Sequence, residues 1–152
     1  MTLQRTFAEK KFKILLIDDD GDSRSILRKE LQMAHCDVIT AENGKEGLCL
    51  AATIDPDLIL LNVNGPKPDG FTVFQQLKND AATCTTPVIF LTGEHEVQEI
   101  IAGIGLQGVD YVVKPYTLNE LRARILKAVL LWDEQEKQLH PLTSKGRKMK
   151  KA

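Results

Sequence analysis

Five apolar runs of strand length alternate with five amphipathic stretches, and this alternation limits the possible folds more than any other feature of the chain. Ile14 to Ile17, Leu58 to Leu61 and Val88 to Leu91 contain no polar residue, which is the pattern of strands covered on both faces. Such strands, separated by helices, make a parallel sheet with helices on both sides. The pattern predicts strands at 12–17, 36–40, 57–62, 87–91 and 109–113, and helices at 22–34, 44–53, 70–79, 95–106 and 117–138. The fold class is therefore α/β, a doubly wound five-stranded parallel sheet. Local punctuation agrees. Asp55-Pro56 and Thr86-Pro87 mark approaches to strands, because a residue before proline is pushed out of the helical region. Asn43-Gly44 and Asp69-Gly70 read as turns or helix starts, and Thr117 followed by Glu120 matches a capping box.

Size and composition narrow the class further. With 152 residues and 43% hydrophobic side chains, the chain can form one real core with short extensions, and a second domain of ordinary size does not fit. We read residues 1–11 as an extension, 12–130 as the domain and 131–152 as an extended last helix with a basic tail. The apolar runs are far shorter than the roughly 20 residues a membrane span needs. Met1 to Lys11 lacks a signal peptide's apolar segment, so a cytoplasmic protein without a membrane partner is expected. Cys36, Cys49 and Cys84 are odd in number and widely spaced, which argues against a disulfide framework or a zinc site. Reduced, mostly buried thiols are expected. His35, His95 and His140 show no ligand spacing. Lys145, Arg147, Lys148, Lys150 and Lys151 carry +5 with no acid after them, so the net charge of −1 leaves −6 on residues 1–144. The tail has no aromatic residue for base stacking and is too short to read a groove, so nucleic acid is not expected as a partner.

The chemistry collects at the ends of the predicted strands. Asp18 and Asp19 follow the first run, Asn62 the third, Thr92 the fourth and Lys114 the fifth. The carboxyl edge of an open α/β sheet is where such folds place their sites, and adjacent acids there can offer hard oxygens to a divalent ion. In this order, and with the Lys114-Pro115 step, the set resembles the receiver domain of bacterial response regulators over residues 12–130. Pro56-Asp-Leu-Ile-Leu-Leu-Asn62-Val-Asn-Gly-Pro-Lys-Pro-Asp-Gly70 keeps that family's length and framing, and Asp110-Tyr-Val-Val-Lys-Pro115 places Tyr111 at its aromatic switch position.

The resemblance implies a (βα)5 flavodoxin-like architecture and a signalling module rather than an enzyme. In the family an aspartate accepts a phosphoryl group from a histidine kinase while Mg2+ neutralises the transferring oxygens. Carried onto this chain, Asp18, Asp19 and the backbone carbonyl of Asn64 would hold the ion. Lys114 and Thr92 would contact the phosphoryl group, and Tyr111 would turn inward in response. Asn62 stands at the acceptor position, where a neutral amide is a poor nucleophile, so phosphorylation should fail and Mg2+ binding should weaken. Gly65 and Pro68 also depart from the larger apolar residues usual in that loop. The expected function is a receiver-like module acting through protein–protein interaction, with a histidine kinase or another signalling protein as partner. The alternative is an ordinary phosphoacceptor disabled by an engineered aspartate-to-asparagine change.

Other motifs in the chain have simpler explanations or stand apart from this set. Gly103-Ile-Gly-Leu-Gln-Gly108 matches a dinucleotide fingerprint, but it closes a predicted helix instead of opening one. Asp18-Asp-Asp20-Gly-Asp-Ser23 resembles the nucleophile motif of haloacid-dehalogenase-type phosphatases, which makes such a phosphatase the remote alternative, but nothing after Lys114 forms a strand ending in paired acids. Asp20 is better read as an acid that starts the first helix than as a third metal ligand. In the last helix Ile125, Leu126, Val129, Leu130, Leu131 and Trp132 cover more than one face, so homodimer formation through that helix is expected.

Overall fold

The computed structural model describes residues 12–62, 70–93 and 110–139, the last eleven of these as backbone only. The elements in chain order are β1 (Lys13–Ile17), α1 (Gly21–Met33), β2 (Asp37–Ala41), α2 (Gly44–Ile54), β3 (Leu58–Asn62), α3 (Gly70–Asn79), β4 (Val88–Thr92), β5 (Asp110–Val113) and α4 (Leu118–Leu139). All strand pairs are parallel, and the order across the sheet is β2-β1-β3-β4-β5. This is the expected five-stranded flavodoxin-like sheet. The helix predicted at 95–106 and the Gly103–Gly108 string lie outside the described residues.

β1 to β4 each begin one residue later than the apolar pattern suggested, and hydrogen bonding accounts for the start of β2. The Cys36 amide donates to the Leu31 carbonyl and so belongs to the end of α1, while Asp37 is the first to join the ladder through the Phe12 carbonyl. Pro87 has no N–H to donate to the ladder; its carbonyl accepts from Ile59, and β4 starts at Val88. Helix starts follow the predicted chemistry. The Asp20 side chain caps α1 by accepting from the Ser23 amide, and Asn43 caps α2 by accepting from Glu46. Thr117 and Glu120 form the reciprocal capping box at the start of α4. Asp55 leaves the helical region before Pro56 by taking a left-handed conformation, φ 52°, which ends α2.

Strand parity divides the core into two clusters. Side chains alternate across a strand, so Ile14, Leu16, Leu58 and Leu60 pack with Leu31 of α1 and with Leu121 and Ile125 of α4. Leu15, Ile17, Ile59 and Leu61 pack on the other face with Ala51 of α2 and Val73 and Leu77 of α3. Helix α2 lies close enough to the sheet that a Cβ added at Gly47 would stand 2.5 Å from Cδ1 of Ile17 and 2.7 Å from its Cγ1. We predict that Gly47→Val destabilises the fold by about 1–3 kcal/mol through overpacking, read as a lower urea midpoint. An unchanged midpoint would mean that α2 can move outward freely.

The expectation of mostly buried thiols is corrected. Only Cys36 is buried, whereas Cys49 and Cys84 are exposed. Cys49 sits two residues from both Gly47 and Ala51, the positions that face the sheet, and so points away from it. Cys84 lies in the turn after α3. Burial pushes the Cys36 thiol up to about 12. A thiol reagent at neutral pH should therefore label two cysteines rapidly in the folded protein and the third only after denaturation, as counted by intact mass.

Candidate functional site

Parallel pairing assembles the site. Strand β1 pairs with β2 on one side and β3 on the other, so the chain order reverses beside it, and a crevice opens at the carboxyl edge of such a switch point. Ile17 is level with Leu61, which brings Asp18 and Asp19 beside Asn62. Asn62 is level with Leu91 and Thr92 with Val113, which carries Thr92 and Lys114 to the same edge. The Lys114 amide donates to the Thr92 carbonyl at 2.7 Å and extends that alignment by one residue.

Asn62 is the centre of the arrangement. Its Nδ2 donates to Oδ1 of Asp18 at 3.0 Å and to Oδ1 of Asp19 at 3.2 Å, and its Oδ1 accepts from Nζ of Lys114 at 3.2 Å. Asn62 and Asp18 are buried, while Asp19 is exposed. A buried carboxylate needs donors, and Asp18 also receives the Asp20 amide at 3.0 Å.

The remaining expected residues fall around this centre. Thr92 is fully buried, and its hydroxyl donates to the Gly93 carbonyl at 3.1 Å, so it bonds to its own strand end. Tyr111 is half-buried and packs against the cluster that contains Phe90. Asp20 is occupied as the cap of α1, as the sequence suggested, and its contacts with Ser23 hold its carboxyl below the usual range. Asn64, Gly65 and Pro68 lie outside the described residues, as do His95 and His140 and the side chains of Leu130, Leu131 and Trp132.

Two contributors were not singled out from sequence. Arg24 of α1 donates to the Asp18 carbonyl at 2.7 Å and reaches Glu42 Oε1 at 3.5 Å, which ties the turn after β1 to the turn after β2. Tyr116 packs against the α1 side of the core, and its hydroxyl is pushed up to about 12 by burial and then by the negative charges of Asp18 and Glu30. An arginine four residues after a helix cap has no distinctive sequence signal. Tyr116 follows directly from Lys114-Pro115, and that adjacency was the available clue.

Comparison with known proteins agrees with this geometry. The response regulator receiver domain family matches residues 14–126. The DNA-binding dual master transcriptional regulator RpaA of Synechocystis sp. is 41% identical over 113 residues, covering 74% of this chain and 47% of the regulator. The chain thus spans about half the length of the curated relatives it matches. Among solved structures, the chemotaxis protein CheY4 of Vibrio cholerae superimposes with a TM-score of 0.71 at 27% identity, covering 77% of this chain and 98% of that one. A response regulator receiver domain protein from Clostridium thermocellum gives 0.72 at 27% identity, covering 84% and 98%.

One expectation is overturned by these likenesses. Nucleic acid was not expected as a partner, yet the Synechocystis relative is named as DNA-binding. The expectation was drawn from the basic tail and the acidic globule, and the charge of one domain does not report what a longer protein containing such a domain contacts. The parallel sheet, the edge that gathers Asp18, Asp19, Asn62, Thr92 and Lys114, and the match over residues 14–126 together place this chain in the response regulator receiver domain family.

Proposed function

We propose that this receiver domain signals without accepting a phosphoryl group at position 62, and that its output is a contact with another protein. The hydrogen bonds of Asn62 carry the reading. Its amide spends Nδ2 on two carboxylates and Oδ1 on Lys114, and it offers no anionic oxygen for attack. Receiver domains are signalling modules rather than enzymes and typically bind Mg2+ at their acidic pocket. Here Asp18, Asp19 and the carbonyl of Asn64 would hold the ion, and when bound it would neutralise phosphoryl oxygens. The two acids suit a hard cation, whereas the amide of Asn62 presents N–H groups to them. With an amide instead of a charged oxygen at position 62, the ion should bind more weakly than in an acceptor-bearing receiver.

Lys114 and Thr92 are the groups that would contact a phosphoryl group, and Tyr111 is the aromatic that would respond. In the present reading Lys114 serves Asn62 instead. A histidine kinase or another signalling protein is the partner class, and the last helix, 22 residues long, is the surface through which a second copy or a downstream protein would dock. The DNA binding named for the Synechocystis relative brings nucleic acid into the reading as a target of a longer protein that includes such a domain. The alternative is a receiver whose acceptor aspartate was deliberately replaced. It shares the chemistry of position 62 and differs only in the encoding gene.

Incubation with acetyl phosphate and Mg2+, followed by intact mass, is the test. The wild type should show no added phosphoryl group, and Asn62→Asp should gain one if Thr92 and Lys114 are placed to assist. A wild-type adduct on Asp18 or Asp19 would overturn the reading.

A further inference from the structure

We propose that the side-chain amide of Asn62 takes over the structural role of the cation, bridging Asp18 and Asp19 so that the fold of this edge does not depend on a divalent ion. This deepens the reading of the site as silent toward phosphate, and it makes a separate physical claim. The two Oδ1 atoms that a cation would draw together already share one nitrogen, at 3.0 and 3.2 Å. Two neighbouring carboxylates repel unless something positive lies between them, and an amide NH2 supplies two partial positive hydrogens in fixed directions.

Lys114 sets the direction of that amide. Its ammonium donates to Oδ1 of Asn62 at 3.2 Å, so Nδ2 is left facing the acids. Turning the amide by half a rotation would place NH2 against the ammonium and the carbonyl oxygen against two carboxylates, and all three contacts would become repulsive. A cation seeking an oxygen from position 62 would therefore have to break the Lys114 contact first. A carboxylate at this position would reverse the situation. It could still accept from Lys114, but it would add a third negative charge facing Asp18 and Asp19, with no hydrogen to offer them.

Among the described residues, further contacts hold Asp18 in place at this edge. Asp18 is buried and held from both ends: the Asp20 amide donates to its side chain, and Arg24 donates to its backbone carbonyl at 2.7 Å. The Asp18 amide in turn donates to the Ala41 carbonyl at 3.1 Å. Each of these bonds is made by the chain itself.

Thermal melts of the full chain, in EDTA and in millimolar Mg2+ without any phosphodonor, test the proposal. The wild type should melt at the same temperature in both. Asn62→Asp should melt lower in EDTA and gain roughly 5 °C on adding Mg2+, the shift expected when an ion binds only the folded state. Asn62→Ala removes the bridge without adding charge and should also become Mg2+-responsive, which keeps the test decisive if the aspartate variant does not fold. A wild type that gains as much from Mg2+ as the variants, or an alanine variant that melts like the wild type in both buffers, would overturn the bridge. Neither outcome depends on phosphorylation. A wild type that ignores Mg2+ yet gains a phosphoryl group would sink the functional reading and leave the bridge standing.

Discussion

The register of the parallel ladder is the constraint on which the rest of the structure depends. Asp18, Asn62, Thr92 and Lys114 come from four strands far apart in sequence, and no local signal brings them together. They meet because Ile17 pairs with Leu61, Asn62 with Leu91 and Thr92 with Val113. A slip of one residue in any strand would exchange its two faces and move its terminal side chain out of the edge. The divided core opposes such a slip. Ile14 and Leu16 fit one set of helices and Leu15 and Ile17 the other, so displacement by one residue would misfit both clusters at once.

Much of this was legible in the sequence because the informative residues obey simple geometry. Unbroken apolar runs mark strands buried on both faces, and Asn43, Asp20 and the Thr117/Glu120 pair cap helices through local hydrogen bonds that need no tertiary context. The start of β2, one residue later than predicted, depends on where particular amides find partners, Cys36 on Leu31 and Asp37 on Phe12, which hydropathy cannot report. Thiol burial was misjudged for a related reason. Cysteine is often buried, but whether Cys49 faces the sheet depends on the angular position of α2, and the close approach of Gly47 to Ile17 sets that angle.

That Asp18, Asp19, Asn62, Thr92 and Lys114 gather at one edge was legible, whereas their wiring was less so. That an amide stands among two acids and a lysine could be read directly. The direction of the amide could not, because it follows from the placement of Lys114 relative to Asp18 and Asp19 in three dimensions. Arg24 was invisible for the same reason, since its target is a backbone carbonyl. The expectation about nucleic acid failed in another way: it took the electrostatics of one domain as evidence about a longer protein.

The length of α4 has a mechanical consequence. The helix is held to the sheet by Leu121 and Ile125, with Leu126 and Ala128 packed against the same cluster, and its backbone continues unbroken to Leu139. Its far end therefore lies roughly 16 Å beyond Ala128 along the axis. A rigid rod pivoting at its clamped end converts angle into distance, and a tilt of about 10° there would carry the tip through roughly 3 Å. Repacking by less than the width of a methyl group at the sheet would then be felt as a displacement the size of a side chain at whatever is attached to the tip. Such a helix would act as a lever arm whose mechanical advantage grows with its length beyond the clamp.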